Sequence, residues 1–173
     1  NYPSANIGKT ETTGLDINFG YQNDFSENIS INTNVSFTTA DNLVVEIANG
    51  DKYIWGAGYG IPYNNLVRFQ EGESPGIFWG YLTDGIFQNQ SEIDNHANQP
   101  NAVPGDIRYV DVNGDGVVNA DDRTKIGDPF ADFYIGWNLN LKVYDFDLSV
   151  TTYGSFGNDI FRGYERNLNY TNK

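Results

Sequence analysis

The sequence predicts an all-β chain, and within that class a part of a large antiparallel transmembrane β-barrel with a long extracellular loop. Three observations point there. Four segments alternate apolar and polar residues with period two, the mark of strands with two different faces. Their connections are uneven: two are very short, and one runs to about ninety residues, longer than compact domains usually carry. The composition suits sheet and irregular loop, with 19 Gly, 12 Tyr and 11 Phe and no long Leu/Ala/Glu/Lys helical runs.

Taken in order, the first strand lies in GLDINFGYQ, where Leu15, Ile17, Phe19 and Tyr21 point one way and Asp16, Asn18, Gly20 and Gln22 the other. A short turn around Asn23–Asn28 leads to NISINTNVSFT, where Ile29, Ile31, Val35 and Phe37 oppose Ser30, Asn32, Asn34 and Ser36. The third strand, in DFYIGWNLNLKVY, sets Phe133, Ile135, Trp137, Leu139, Leu141 and Val143 against Tyr134, Gly136, Asn138, Asn140 and Lys142. At Tyr144–Asp145 the apolar phase flips, as a tight hairpin requires. The fourth strand then opposes Phe146, Leu148, Val150 and Thr152 to Asp147, Ser149 and Thr151. Each is long enough for the ~9–11 residues that cross hydrocarbon at a tilt. Tyr21 and Phe25 flank one short turn, and Tyr144 and Phe146 the other, where an interfacial aromatic girdle belongs.

Barrels of this kind place short turns on the periplasmic side and long loops outside. The division expected is therefore two barrel strands with a short periplasmic turn (1–41), a long extracellular loop (42–132), and two barrel strands with the start of the next outer loop (133–173). The competing arrangement is a soluble antiparallel sandwich with one solvated face, an extracellular β-module acting in carbohydrate binding or adhesion.

A net charge of −13 argues against nucleic acid as a partner, since phosphate backbones need clustered Lys and Arg. With no cysteine, disulfides and thiolate metal sites are excluded. The opening NYPSANIGKTETTG is neither a start methionine nor a leader, and reads as a fragment or a processed piece. His96, the one histidine, reads as a surface residue with no nucleophile motif around it. GAGYG (Gly56–Gly60) lacks the spacing and the Lys-Ser/Thr of a phosphate cradle. No carboxylate pair stands out, so no enzyme is expected.

Within the long connection, DVNGDGVVNADD (Asp111–Asp122) has the ligand spacing of a calcium loop. Asp111, Asn113 and Asp115 offer side-chain oxygens, Val117 its carbonyl, Asn119 a direct or water-mediated contact, and Asp122 closes the shell. Gly116 permits the sharp turn. Asp in the twelfth position departs from the EF-hand Glu and looks like the dockerin version; the simpler alternative is an Asx-rich turn. Trp55, Tyr59, Tyr63, Phe78, Trp79 and Tyr81 also gather here. Trp55, Trp79 and Tyr81 are the candidate contacts to substrate or partner, with an aromatic mini-core as the alternative.

The order of motifs carries more information than any one of them. NIGKTETTGLDINFGY, EGESPGIFWGYLTDGIFQNQSEID, PGDIRYVDVNGDGVVNADDRTKIGDP and FYIGWNLNLKVYDFDLSVTTYGSFGNDIF follow one another along nearly the whole chain. This series resembles the later barrel region of SusC/RagA-type TonB-dependent outer-membrane transporters of Bacteroidetes. The resemblance implies a barrel of ~22 strands with a plugged lumen, in the outer membrane of a Gram-negative bacterium and in contact with its lipid. It implies a SusD-like surface lipoprotein as partner, TonB as the energy source through parts of the protein absent here, and an oligosaccharide or peptide substrate. This stretch shows no plug and no terminal strand ending in an aromatic residue, so it is expected to supply four strands and one large outer loop.

Overall fold

The computed structural model describes residues 8–56 and 65–162. Most of the Gly-rich GAGYG segment, Tyr59, Tyr63 and the stretch expected to begin the next outer loop (163–173) lie outside the described residues. In chain order, two long strands, β1 (Gly8–Ser26) and β2 (Ile29–Ile47), come first. Six short ones follow: β3 (Tyr53–Trp55), β4 (Val67–Gln70), β5 (Ile77–Tyr81), β6 (Thr83–Ile86), β7 (Ile107–Tyr109) and β8 (Arg123–Gly127). The last two are β9 (Phe133–Val143) and β10 (Phe146–Phe156). A single-turn helix, α1 (Gln90–Asp94), sits between β6 and β7, capped by the Asn89 side chain accepting from the Glu92 N–H.

The four alternating segments form one antiparallel sheet in the order β1-β2-β9-β10. Its register keeps every apolar row in phase. Phe19 faces Val35, Val35 faces Trp137, and Trp137 faces Thr152; toward the turns, Ile31 faces Leu141 and Leu141 faces Leu148. One surface is therefore continuously apolar and the other carries Asn, Ser, Thr and Asp, the arrangement of a barrel wall. The apolar surface is bare: Phe19 is 71% exposed and Phe146 81%. Two of its polar side chains are paired within the face. Trp137 Nε1 donates to Thr33 Oγ1 at 2.9 Å, and that hydroxyl donates to the Asn138 carbonyl at 3.0 Å.

Strand length separates the two hairpins. β9 and β10 have 11 residues each. At ~3.4 Å per residue that is about 37 Å, or about 26 Å of height at a ~45° tilt, matching the ~25 Å apolar band of outer-membrane barrels. β1 and β2 have 19 residues each and rise well above this band. β2 runs to Ile47, beyond the strand end expected at residue 41. The alternation fades there because a register shift between Lys9 and Thr10 breaks the period and brings Val44 and Ile47 to one face, buried against the connection that follows. At the opposite end both turns are tight, and Tyr144 adopts φ 55°, the positive sign that short hairpins favour. Tyr21, Phe25, Tyr144 and Phe146 all stand exposed around these turns. Phe37, Phe133 and Phe156 stack at the far rim of the apolar face, with centroids 5.7 and 4.9 Å apart.

The long connection is a folded module. β3-β4-β5-β8 form one antiparallel sheet, and β6-β7 a two-stranded ribbon. Ile77 and Phe87 are its most buried apolar side chains, joined by Leu66 and Val118. His96, expected at the surface, is instead half-buried. Its ring meets Phe87 edge-on at 5.2 Å and its Nδ1 lies 2.9 Å from the Ala97 carbonyl, so the imidazole serves as packing material. The module is pegged to the wall on both sides. Val44 N–H donates to the Glu73 carbonyl and Gly72 N–H to the Val44 carbonyl, each at 2.9 Å. Across the sheet, Asp159 N–H donates to the Asp128 carbonyl at 2.6 Å and Asp132 N–H to that of Phe156 at 2.8 Å.

Candidate functional site

The structure brings Asp111–Asp122 together as a compact loop between β7 and β8. Gly114 and Gly116 take φ of 74° and 85°, which side chains with a Cβ rarely adopt. Asp111 accepts from Gly114 N–H at 2.7 Å through Oδ1 and from Gly116 N–H at 2.8 Å through Oδ2. Asn113 Oδ1 accepts from Asp115 N–H at 2.9 Å, and Asp115 Oδ1 from Val117 N–H at 2.8 Å. The Val117 carbonyl accepts weakly from Asn119 Nδ2 at 3.3 Å. A parallel bridge to Asn98 holds the second half of the loop against the module.

Asp122 is the pivot. It has no solvent exposure, and its carboxylate accepts from the N–H groups of Asn119 (2.8 Å), Val112 (2.9 Å) and Asn113 (3.4 Å). With Asn119 it forms a capping box on a short 3-10 turn (Ala120–Asp122). The Asn119 N–H, followed by those of Asn113 and Val112 and a contact with Asp111, holds the Asp122 carboxyl below the usual aspartate range against the opposing effect of burial. Among the described residues no group of three or more Asp, Glu, His or Cys side chains is arranged to hold a metal; the loop's oxygens serve backbone N–H groups.

The aromatic cluster divides by strand parity. Trp79 and Tyr81 point to one face of β5, and Phe78 to the other, toward Phe161 at 6.2 Å. On the Trp79 face, the Arg68 guanidinium lies 3.7 Å from the ring centroids of both Tyr53 and Trp79, and 5.6 Å from Trp55. Arg123 approaches Trp55 at 5.3 Å. Its Nη2 donates to the Asn65 carbonyl and, at 3.1 Å, to that of Trp79. The Tyr81 ring leans against Tyr109, tilted by 47° with centroids 5.2 Å apart. A recess of ≈ 440 Å³ opens beside Trp79, Tyr81 and Arg123. Sequence reasoning singled out Trp55, Trp79 and Tyr81 but missed Arg68 and Arg123. The available signal was Arg68, one of only ten basic residues, standing inside the aromatic-rich stretch from Trp55 to Tyr81; Arg123 lies well outside it.

Two other cations of the module are committed to carboxylates. Arg108 pairs with Asp84 at 2.6 Å and Glu92 at 3.5 Å, fastening the β6-β7 ribbon to α1. Lys125 pairs with Glu73 and Asp128, each at 2.9 Å. Burial acts to lower the Lys125 pKa, but these two carboxylates outweigh it and raise it.

No family model matches the chain. Two TonB-dependent receptors of Formosa agariphila are 29% and 30% identical to it, over 96% and 93% of its length. The TonB-dependent receptor SusC of Bacteroides thetaiotaomicron is 22% identical over 91% of it. The chain spans 16%, 18% and 15% of those three receptors. Among solved structures, the RagAB peptide transporter superposes on 88% of the chain with a TM-score of 0.61 at 13% identity, using 15% of the RagAB chain. The RagAB peptide importer in its closed-closed state gives 0.60 at 16% identity, over 88% and 16% of the two chains. At these identities the structural likeness is one of fold.

Proposed function

Because this chain is homologous along most of its length to TonB-dependent receptors of the SusC kind, we propose that it forms four wall strands and one outer loop of an outer-membrane importer of glycan or peptide oligomers. Movement of substrate, not bond chemistry, is its work. The importer acts with a SusD-like lipoprotein over its mouth, and with TonB through segments outside this chain. The observation that carries this is the in-register sheet, apolar and bare on one side and polar on the other, with tight turns at one end and an elaborate module at the other. A free-standing soluble module would cover such a face.

The test is topological. In the whole receptor, freed of other cysteines, Ser91→Cys in the module should react on intact cells with a membrane-impermeant maleimide. Glu27→Cys in the turn should react only after the outer membrane is breached. The opposite pattern overturns the orientation, and uptake that persists without TonB overturns the function.

We also propose calcium as a structural ion of the loop, held by Asp111, Asn113, Asp115, the Val117 carbonyl, Asn119 and Asp122. What supports it is the donor set, since every carboxylate oxygen except Asp122 Oδ1 keeps a lone pair beyond its hydrogen bonds, together with the glycine-dependent turn at Gly116. At millimolar calcium and a dissociation constant of ~10⁻⁴ M, binding stabilises the loop by about 1.4 kcal/mol. That orders a loop and does not hold a barrel together. Titration calorimetry on the whole receptor should show one site lost in Asp111→Ala and Asp115→Ala; no heat at millimolar calcium removes the ion from the account.

A further inference from the structure

We infer that the Arg68–Arg123 face of the β3-β4-β5-β8 sheet binds the carboxylate of an acidic sugar residue within an oligosaccharide. This rests on the import reading above and names a substrate class for it. The chain carries 23 acidic and 10 basic residues, so a lone cation here finds a carboxylate easily. Arg108 and Lys125 of the same module do form such pairs, and neither Arg68 nor Arg123 is in one. Two guanidiniums instead sit on one aromatic face without a counter-ion. Burial lowers the Arg68 pKa; Tyr53 opposes this and the neighbouring Arg123 adds to it.

The polar accounting of the face is also open. Arg68 Nε, on β4, is a donor without a hydrogen-bond partner. A guanidinium stacked between Tyr53 and Trp79 at 3.7 Å from each centroid keeps its donors in the plane between the rings. It is a fixed fork of the kind that matches a carboxylate with two parallel bonds. The neighbouring Arg123, which shares the Trp55 ring with Arg68, lines with Trp79 and Tyr81 a recess of ≈ 440 Å³, in the range of small-ligand sites.

Ring-shaped ligands suit this place better than peptides. An extended peptide gains affinity by adding to a sheet edge. Here Arg68 and Trp79 lie on β4 and β5, the two inner strands of their sheet, where backbone groups are already paired. Flat aromatic walls accept the apolar face of a sugar ring while the fork takes its carboxylate.

The experiment is calorimetry on the whole receptor in detergent, with a tetrasaccharide of uronic acid and the same tetrasaccharide after reduction of its carboxylates to alcohols. The acidic form should bind roughly tenfold tighter, the size of one charge-assisted hydrogen-bonded pair, with the gap narrowing as salt rises. Arg68→Gln should abolish the gap, and Arg123→Lys, which keeps the charge but loses the fork, should narrow it. Equal binding of the two sugars by the unmodified receptor overturns the inference whatever the variants do. So does an acidic peptide that binds as tightly and with the same dependence on Arg68. Should Arg68→Gln misfold, the two-sugar comparison and Arg123→Lys decide. TonB-dependent uptake separates the two claims: import without charge discrimination sinks this inference alone, whereas charge-selective binding without import sinks the transport reading alone.

Discussion

Asp122 combines complete burial with a carboxyl that is more acidic than usual, because three backbone N–H groups converge on its charged form. A carboxyl depressed on folding contributes stability that is fully present above its unfolded pKa, and that is lost as pH falls through the lower folded value. Protection of the Val112, Asn113 and Asn119 amides, measured against their intrinsic exchange rates at each pH, should therefore be high at neutral pH and fall below about pH 4, the ordinary aspartate range. Asp122→Asn should exchange faster at neutral pH and lose that pH dependence. Two other residues show how unequal single side chains are. Phe87→Ala removes a ring that is 1% exposed and should cost about 3–5 kcal/mol in module stability. Lys125→Ala removes two partly exposed ion pairs and should cost only about 1 kcal/mol. Denaturant melts of the whole receptor that rank Lys125 above Phe87 would contradict this. At this scale the sequence announced the Asp111–Asp122 loop through its spacing. It concealed Arg68 and Arg123, since only the folded sheet reveals which cations have aromatic neighbours and no carboxylate.

The long strands were legible and the short ones were not, for a reason of length. β9 and β10 repeat their alternation over 11 residues, enough to fix both period and register. β3 and β7 have three residues each, too few to show any period. β5 reads as a continuous apolar stretch because Ile77 and Trp79 occupy one face while Phe78 packs toward Phe161 on the other. The same alternation yields a test within one strand. Leu139→Arg places a charge on the apolar face near mid-strand and should destabilise the receptor in phospholipid vesicles by about 2–4 kcal/mol. Asn138→Arg, one residue away on the polar face, should have a far smaller effect. Equal costs would mean that the two faces are not lipid and lumen.

For the whole molecule, β1 and β10 bound their sheet with unpaired backbone edges, beside an apolar face that nothing covers among the described residues. Residues 1–173 expressed alone should aggregate in buffer and need detergent to stay dispersed. A detergent-free monomer with sharp, cooperative unfolding would count against a barrel wall.

The two unequal hairpins give the wall a stepped top, 19-residue strands beside 11-residue ones. The module rests on that step like a bracket bolted at two points, to Val44 on the tall side and to Phe156 and Asp159 on the low side. A bracket fixed twice has no free hinge. It turns with the wall as one stiff piece.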